Sequence, residues 1–370
     1  ENLTKMAIIN NAGLKANALK VEGSKALIPN AFSFEKTEVY YEYDQNNLAI
    51  NNEPLSVFGI QQDFLFPTVY FSKKRLNRAR MAVDSSQYEI RVKALKKEVA
   101  SRYYNYIYAK EIESIYLQLD SLFVDFANKA ERRFELGATN YLEKITAQSK
   151  QRQLEIKLEQ ARQDVEIAYR ELRTIIQNKD SIVLAKATLP KVQLRQVNIN
   201  ETPEFIYLSN YLSLSEYGNK YEKQQLLPDI SLSYFQGSNP TLNQNLFGYH
   251  LGLKIPLFFS GQKSRIKSST LAYDAAVQDS IQYNIQFQTK LTTLNSKLLK
   301  FQKALDYYEK DGTILSEEIL NTADLSFKNG EIDFFQYILS IENAYEIKLD
   351  YLDNLNRYNQ TVIALNHITL

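Results

Sequence analysis

Residues 132–144 read RRFELGATNYLEK, and residues 325–337 read LSFKNGEIDFFQY. Laid over each other, they match Phe134 with Phe327, Gly137 with Gly330 and Leu142 with Phe335, and the next residues, Ile145 and Ile338, also match, all 193 positions apart. Each stretch joins two long segments of helical rhythm around a single glycine. Glycine adopts φ > 0 after a helix C-terminus without a Cβ clash, so both stretches are expected to reverse the chain at the end of a helical hairpin. Asn329 suits the same turn. Thr139 is expected to cap the first return helix, with Leu142 and Ile145 opening its apolar face.

The repetition extends upstream. ALIPNAFSFE (26–35) echoes QLLPDISLSY (225–234), and FLFPTVYFSKK (64–74) echoes LKIPLFFSGQK (253–263). The three anchors keep their order at offsets of 199, 189 and 193, which marks an internal duplication with loops of unequal length. The first repeat is expected over residues 1–178, with a β-hairpin at about 32–66 and a helical hairpin at about 72–178. The second spans 203–370, with a β-hairpin at about 229–256 and a helical hairpin at about 262–368. A short helix opens each repeat, and 179–202 form an irregular connection.

The helical segments carry apolar seams. Leu154, Leu158, Ala161, Val165, Ala168, Leu172 and Ile175 alternate spacings of four and three, as do Phe287, Leu291, Leu294, Leu298, Phe301, Leu305 and Tyr308. That is the 3.5-residue period of coiled coils. An outgoing helix of about 60 residues would rise about 90 Å.

The extended segments alternate instead. Phe247, Tyr249, Leu251, Leu253 and Ile255 interleave with Gly248, His250, Gly252 and Lys254. Val39, Tyr41 and Tyr43, then Phe58 and Ile60, then Ile230, Leu232 and Tyr234 also mark one apolar face. Such a face is covered by helices in a soluble protein or touches lipid in a membrane barrel. The nine residues from Phe247 to Ile255 approach the roughly 9–11 that a tilted spanning strand needs. Because the helical seams pair with other helices, they leave little surface for the sheet, which favours lipid. Four strands cannot close a barrel and open edges are not tolerated in lipid, so this reading requires several copies.

Composition is consistent with a folded, helix-rich chain. Of 370 residues, 44% are hydrophobic and 24% charged, with only 11 Gly and 8 Pro. The net charge of +1 offers nothing to nucleic acid. Without Cys there are no disulfides, thiolate metal sites or Cys nucleophiles. No run of about 18 apolar residues suggests a transmembrane helix, and no signal peptide is visible. His250 and His367 stand apart, no catalytic, cofactor or metal motif occurs, and two Met cannot build a thioether ladder. The cations Lys73, Lys74, Arg75, Arg78 and Arg80 open the first long helix, as a solvated face or a surface for lipid head groups.

The order helix, β-hairpin, long helix, glycine bend, return helix, given twice, resembles the TolC-like outer-membrane efflux family over nearly the whole chain. Carrying the resemblance are Leu27-Ile28-Pro29, Leu226-Leu227-Pro228, Pro256-Leu257-Phe258, Ser260-Gly261-Gln262, the two glycine tips and Ala147 ten residues after Gly137. It implies a mainly α chain with membrane β, assembled as a homotrimer whose 12-stranded β-barrel continues into a 12-helix periplasmic barrel. It implies an outer-membrane duct for drugs, other small molecules or metal ions, without enzymatic activity or cofactor, served by a periplasmic adaptor and an inner-membrane pump of the resistance-nodulation-division type. The sequence also looks like the channel-like domain found behind heavy-metal pumps of that type.

By the same resemblance, adaptor docking centres on Arg133, Leu136, Gly137, Thr139, Lys328, Asn329, Gly330 and Glu331, and Phe247, Tyr249, Leu251, Leu253 and Ile255 face lipid. Family members can carry aspartates six and nine residues after the second glycine as acidic rings at the pore entrance. Here those places hold Gln336 and Leu339, and Glu143 holds the sixth place of the first copy. Asp333 stands nearby at a helix start, where acids are favoured in any case. The alternatives are a soluble coiled-coil scaffold with small sheets, recognised by purification without detergent, and an enzyme with a helical insertion, for which no cluster of catalytic residues is present.

Overall fold

A computed structural model describes residues 2–48, 52–178, 188–195, 202–239, 241, 244 and 246–368. The chain is mainly helical and its element order repeats. Helices α1 (Asn2–Asn10) and α2 (Ala12–Ala26) precede strands β1 (Glu38–Leu48) and β2 (Pro54–Phe64). Helices α3 (Pro67–Glu135) and α4 (Tyr141–Ile176) complete the first round. The second round runs α5 (Pro203–Gln224), β3 (Asp229–Ser238), β4 (Leu246–Lys254), α6 (Ser260–Tyr307), a π turn (Tyr308–Gly312), α7 (Thr313–Lys328) and α8 (Phe334–Asn366).

Two compact units form. One comprises Ala16–Glu89 and Ile199–Asn284, and the other Glu1–Lys15, Ile90–Asn198 and Ile285–Leu370. The first holds a four-stranded antiparallel sheet of order β1-β2-β3-β4, so the two hairpins join edge to edge through β2 and β3. Its register aligns Val39, Ile60, Tyr234 and Tyr249 in one row across the strands, and Tyr41, Phe58, Gln236 and Phe247 in another. These side chains, apolar except for Gln236, are exposed. The opposite face carries Glu38, Gln61, Ser233 and His250 in one row, and Asp63 ion-pairs with Lys254 at its end.

The second unit packs helix on helix. Leu158, Ala161, Val165, Ala168 and Leu172 are buried along α4, the expected seam, which ends at Ile176 rather than Ile175. Phe287, Leu294, Phe301 and Leu305 are likewise buried along α6. A cluster of Ile107, Leu305, Leu352, Leu355 and Val362 joins α3, α6 and α8, each large side chain worth about 1.5–3 kcal/mol. Of the expected connection over 179–202, only residues 188–195 and 202 are described, and the other residues lie outside them. The 188–195 segment is bound to α8: Asn359 Oδ1 accepts from Val192 N at 2.8 Å, and Asn359 Nδ2 donates to Pro190 O at 2.9 Å. Further along the same helix, Asn366 accepts from Arg195 N at 2.7 Å and donates to Gln193 O at 2.9 Å.

Several elements differ from expectation. The opening helix is two, because Asn11 breaks it and caps the second through Leu14 N at 2.9 Å. The first strand begins at Glu38, since Pro29–Phe32 form a 3₁₀ turn whose Phe32 stacks on Tyr70 at 6.0 Å. The second outgoing helix is interrupted by the π turn, where Gly312 admits the ring of Tyr308 to 2.9 Å from where a Cβ would stand. Ile255 follows β4 rather than belonging to it.

Candidate functional site: the paired helical tips

The α3–α4 and α7–α8 bends are built alike, atom for atom in the backbone. Ala138 N donates to Arg133 O at 2.8 Å and Gly137 N to Phe134 O at 2.9 Å. In the second bend Glu331 N donates to Ser326 O at 2.9 Å and Gly330 N to Phe327 O at 3.2 Å. This is the Schellman closure of a helix, and the residue it places in the left-handed region is Gly137 at φ 69° and Gly330 at φ 76°. Just beyond, each return helix is capped. Asn140 Oδ1 accepts from Glu143 N at 2.9 Å, and Asp333 Oδ1 from Gln336 N at 2.7 Å. Asn140 and Asp333 are again 193 positions apart.

Asn140, not Thr139, is therefore the first cap. Its backbone is extended (φ −90°, ψ 164°), the conformation the cap position requires, while the Thr139 hydroxyl donates to the Glu143 carboxylate. That carboxylate is nearly buried and lies 3.5 Å from Arg133 Nη1, so Thr139, Arg133 and Glu143 tie the end of α3 to the start of α4. In the second tip the third helical residue, Gln336, bonds back to Asp333 N at 3.0 Å and completes a capping box. Lys328 pairs with Asp324 one turn back, Glu331 accepts from the Ser326 hydroxyl at 2.9 Å, and Asn329 is the α7 C-cap. Leu136 is 75% exposed and Leu339 59% exposed, so each tip offers bare apolar surface beside charge.

The tips share one core. Phe126 of α3 packs against Phe334 at 5.0 Å and Tyr337 at 5.0 Å, both of α8, and Phe327 of α7 stacks on Tyr337 at 4.6 Å. Ala147, wholly buried, fills the same cluster from α4. Lys150 of α4 reaches Glu342 of α8 at 2.6 Å. Phe126, Phe327 and Phe334 floor a cleft of about 250 Å³ between the hairpins, walled by Leu136, Arg133 and Glu143. Phe327, Phe334 and Tyr337 stand together in the second tip sequence, but Phe126, which joins the first hairpin to them, comes from a helix about 200 residues upstream and no local motif announces it. Among the described residues no group of three or more His, Asp or Glu could hold a metal ion, and no helix is long and apolar enough to cross a membrane.

The fold, with its edge-to-edge hairpins and twin helical tips, is that of the TolC-like outer-membrane channels. Solved structures sharing it include the Campylobacter jejuni CmeC outer-membrane channel, at a TM-score of 0.80 and 15% identity over 99% of this chain and 84% of that one. The open state of the Neisseria gonorrhoeae MtrE outer-membrane channel matches at 0.79 and 14%, over 99% and 87%. The outer-membrane protein VceC of Vibrio cholerae matches at 0.78 and 12%, over 99% and 94%. No family model matches the sequence, and no curated protein does.

Proposed function

We propose that the chain is the outer-membrane channel of a tripartite efflux system. It is a passive export duct for small molecules or metal ions, and an inner-membrane pump supplies the energy. Three copies close a 12-stranded barrel in the bacterial outer membrane and a barrel of helices in the periplasm. A periplasmic adaptor docks at the two tips and splays the return helices to open the duct, and in the closed state the residues near Glu143, Asp333, Gln336 and Leu339 narrow its entrance.

One observation carries this reading. The sheet exposes a predominantly apolar face, from Val39 and Tyr41 to Tyr249 and Leu251, and its outer strands β1 and β4 have no second strand partner among the described residues. Water penalises that face, and lipid penalises those edges unless other copies pair them. The likeness to solved outer-membrane channels supports the same conclusion. The decisive experiment purifies the protein from outer membranes in detergent, measures particle mass and records conductance in planar bilayers. Three chains per particle with discrete conducting steps are expected. A protein recovered from the aqueous fraction as one chain overturns the proposal.

A further inference from the structure

The two rounds of the fold differ where the second strand of each hairpin hands over to a helix. Both outgoing helical runs have the same length: Pro67–Glu135 has 69 residues, and residues 260–328 make another 69. The prolines after β2 and β4, Pro67 and Pro256, are only 189 apart, whereas the helix ends are 193 apart. Counted from the proline, four extra residues thus precede α6, and they are Pro256-Leu257-Phe258-Phe259. Three of the four are bare: Phe258 is 93% exposed and Leu257 76%, Phe259 is exposed too, and so is Ile255 just before them. In the first round the corresponding junction is sheltered, because Phe34 covers Phe64 at 5.4 Å and Tyr70 at 5.5 Å. Contiguous apolar side chains left this open mark a contact surface.

Topology says what reaches them. Strand directions alternate across β1-β2-β3-β4, so a copy that pairs its β1 with the free edge of β4 does so antiparallel. The segment leaving β4 at Lys254 then arrives beside the segment entering β1 at Glu38. That entering segment and the first turn of α3 carry Phe32, Phe34 and Phe71, all exposed on the outside of their own aromatic group. Lys74 stands over the Phe32 ring at 5.4 Å, a cation that disfavours burying this patch in hydrocarbon and tolerates an aromatic neighbour. We propose that Leu257, Phe258 and Phe259 of one copy pack on Phe32, Phe34 and Phe71 of the next, forming an aromatic clasp at each subunit seam. The clasp rests on the trimeric reading above and names one of its contacts.

The absence of Cys makes the test clean. Phe258→Cys is combined with Phe34→Cys in the full chain, in outer membranes. Within one chain β1 and β4, which these positions flank, are three strand spacings apart, roughly 14 Å and beyond the reach of a disulfide, and a bridge between copies is told from one within a chain by its band on the gel. Mild oxidation is expected to give two- and three-chain bands on a non-reducing gel, and neither single substitution should. Phe258→Ser is expected to lower the temperature at which the detergent-solubilised trimer dissociates. A three-chain particle with no cross-link, and with a fluorophore on the thiol of the single Phe258→Cys variant quenched by brominated lipid, overturns the clasp while leaving the trimer standing. A single-chain particle overturns the trimeric reading and the clasp with it.

Discussion

The rings of Phe126 and Phe334 meet at 5.0 Å, tilted by 33°, and with that contact the first helical hairpin grips the second. Phe126 is on the outgoing helix of one hairpin and Phe334 opens the return helix of the other, one residue past its cap. Truncating a buried aromatic leaves a cavity as well as losing transfer energy. Phe126→Ala is therefore expected to cost about 3–5 kcal/mol in the helical unit and to loosen the tips from each other. Thermal unfolding followed by circular dichroism measures the first effect, and protease cutting near Gly137 and Gly330 the second. A variant as resistant as the parent would show that the hairpins are held together elsewhere.

The two tip glycines make a different demand. A Cβ on either would meet nothing within 4 Å, so a substitution costs only the left-handed backbone. Gly137→Val or Gly330→Val should lose about 1–2 kcal/mol, and the Asn replacements less, since Asn tolerates that region. If these tips are docking surfaces, a bulky or charged residue there abolishes export while the trimer stays intact. Drug- or metal-susceptibility assays beside a native gel read both, and unchanged resistance in Gly137→Arg and Gly330→Arg would count against the tips as the docking site.

Much of this was legible in the sequence because it is local. A seam of period 3.5 from Leu158 to Leu172 needs only a partner helix to be buried. Phe247 to Leu253 alternate because strand side chains do, and Gly137 and Gly330 announce φ > 0. The choice between Thr139 and Asn140 as cap was not legible, since both types cap helices and only the extended backbone at Asn140 decides. The π turn at Tyr308–Gly312 was hidden because an added residue leaves the apolar rhythm of Phe301 and Leu305 intact. Phe126 meets Phe327, Phe334 and Tyr337 only through tertiary packing, which no window of sequence records.

On the polar face of the sheet, Tyr40, Gly59, Phe235 and Gly248 share one row, and aromatic rings lie across both glycines. A Cβ at Gly59 would overlap the Tyr40 ring, and one at Gly248 the Phe235 ring. Gly59→Ala and Gly248→Ala are therefore expected to lift the rings off the sheet. In the barrel proposed above this face would line the lumen, so single-channel conductance should fall in each variant and further in the double. Conductance equal to the parent's would mean that the rings do not border the conducting path.

Asn359 is fully buried and spends its side chain on the backbone of the 188–195 segment, at Val192 N and Pro190 O. Asn359→Leu keeps the number and branching of the side-chain heavy atoms and strands a buried donor and acceptor, at about 1–3 kcal/mol for each. The expected result is a clear drop in melting temperature together with faster amide exchange at Val192. A neutral outcome would mean that water or another group replaces the amide.

His367, at the C-terminus of α8, links the same region to pH. Burial holds its imidazole below the ordinary histidine value, reinforced by Arg195 on the connecting segment and by Lys93, Lys96 and Lys97 on α3. The unfolded chain therefore takes up a proton at a pH where the folded chain still refuses it. Stability from the neutral ring is full above the unfolded value of about 6.5 and is lost as pH falls from there toward the lower folded value. Melting temperature should thus decline as pH falls below about 6.5, beyond whatever the carboxylates contribute, and His367→Gln should remove that part of the decline. Because Lys93 Nζ also holds Ile368 O at 2.6 Å, protonation adds a cation beside one already committed to the helix end. The protection of the Ile368 amide, corrected for the intrinsic pH dependence of exchange, should accordingly fall on acidification in the parent and hold in His367→Gln. The same slope in both proteins would place the pH sensitivity elsewhere.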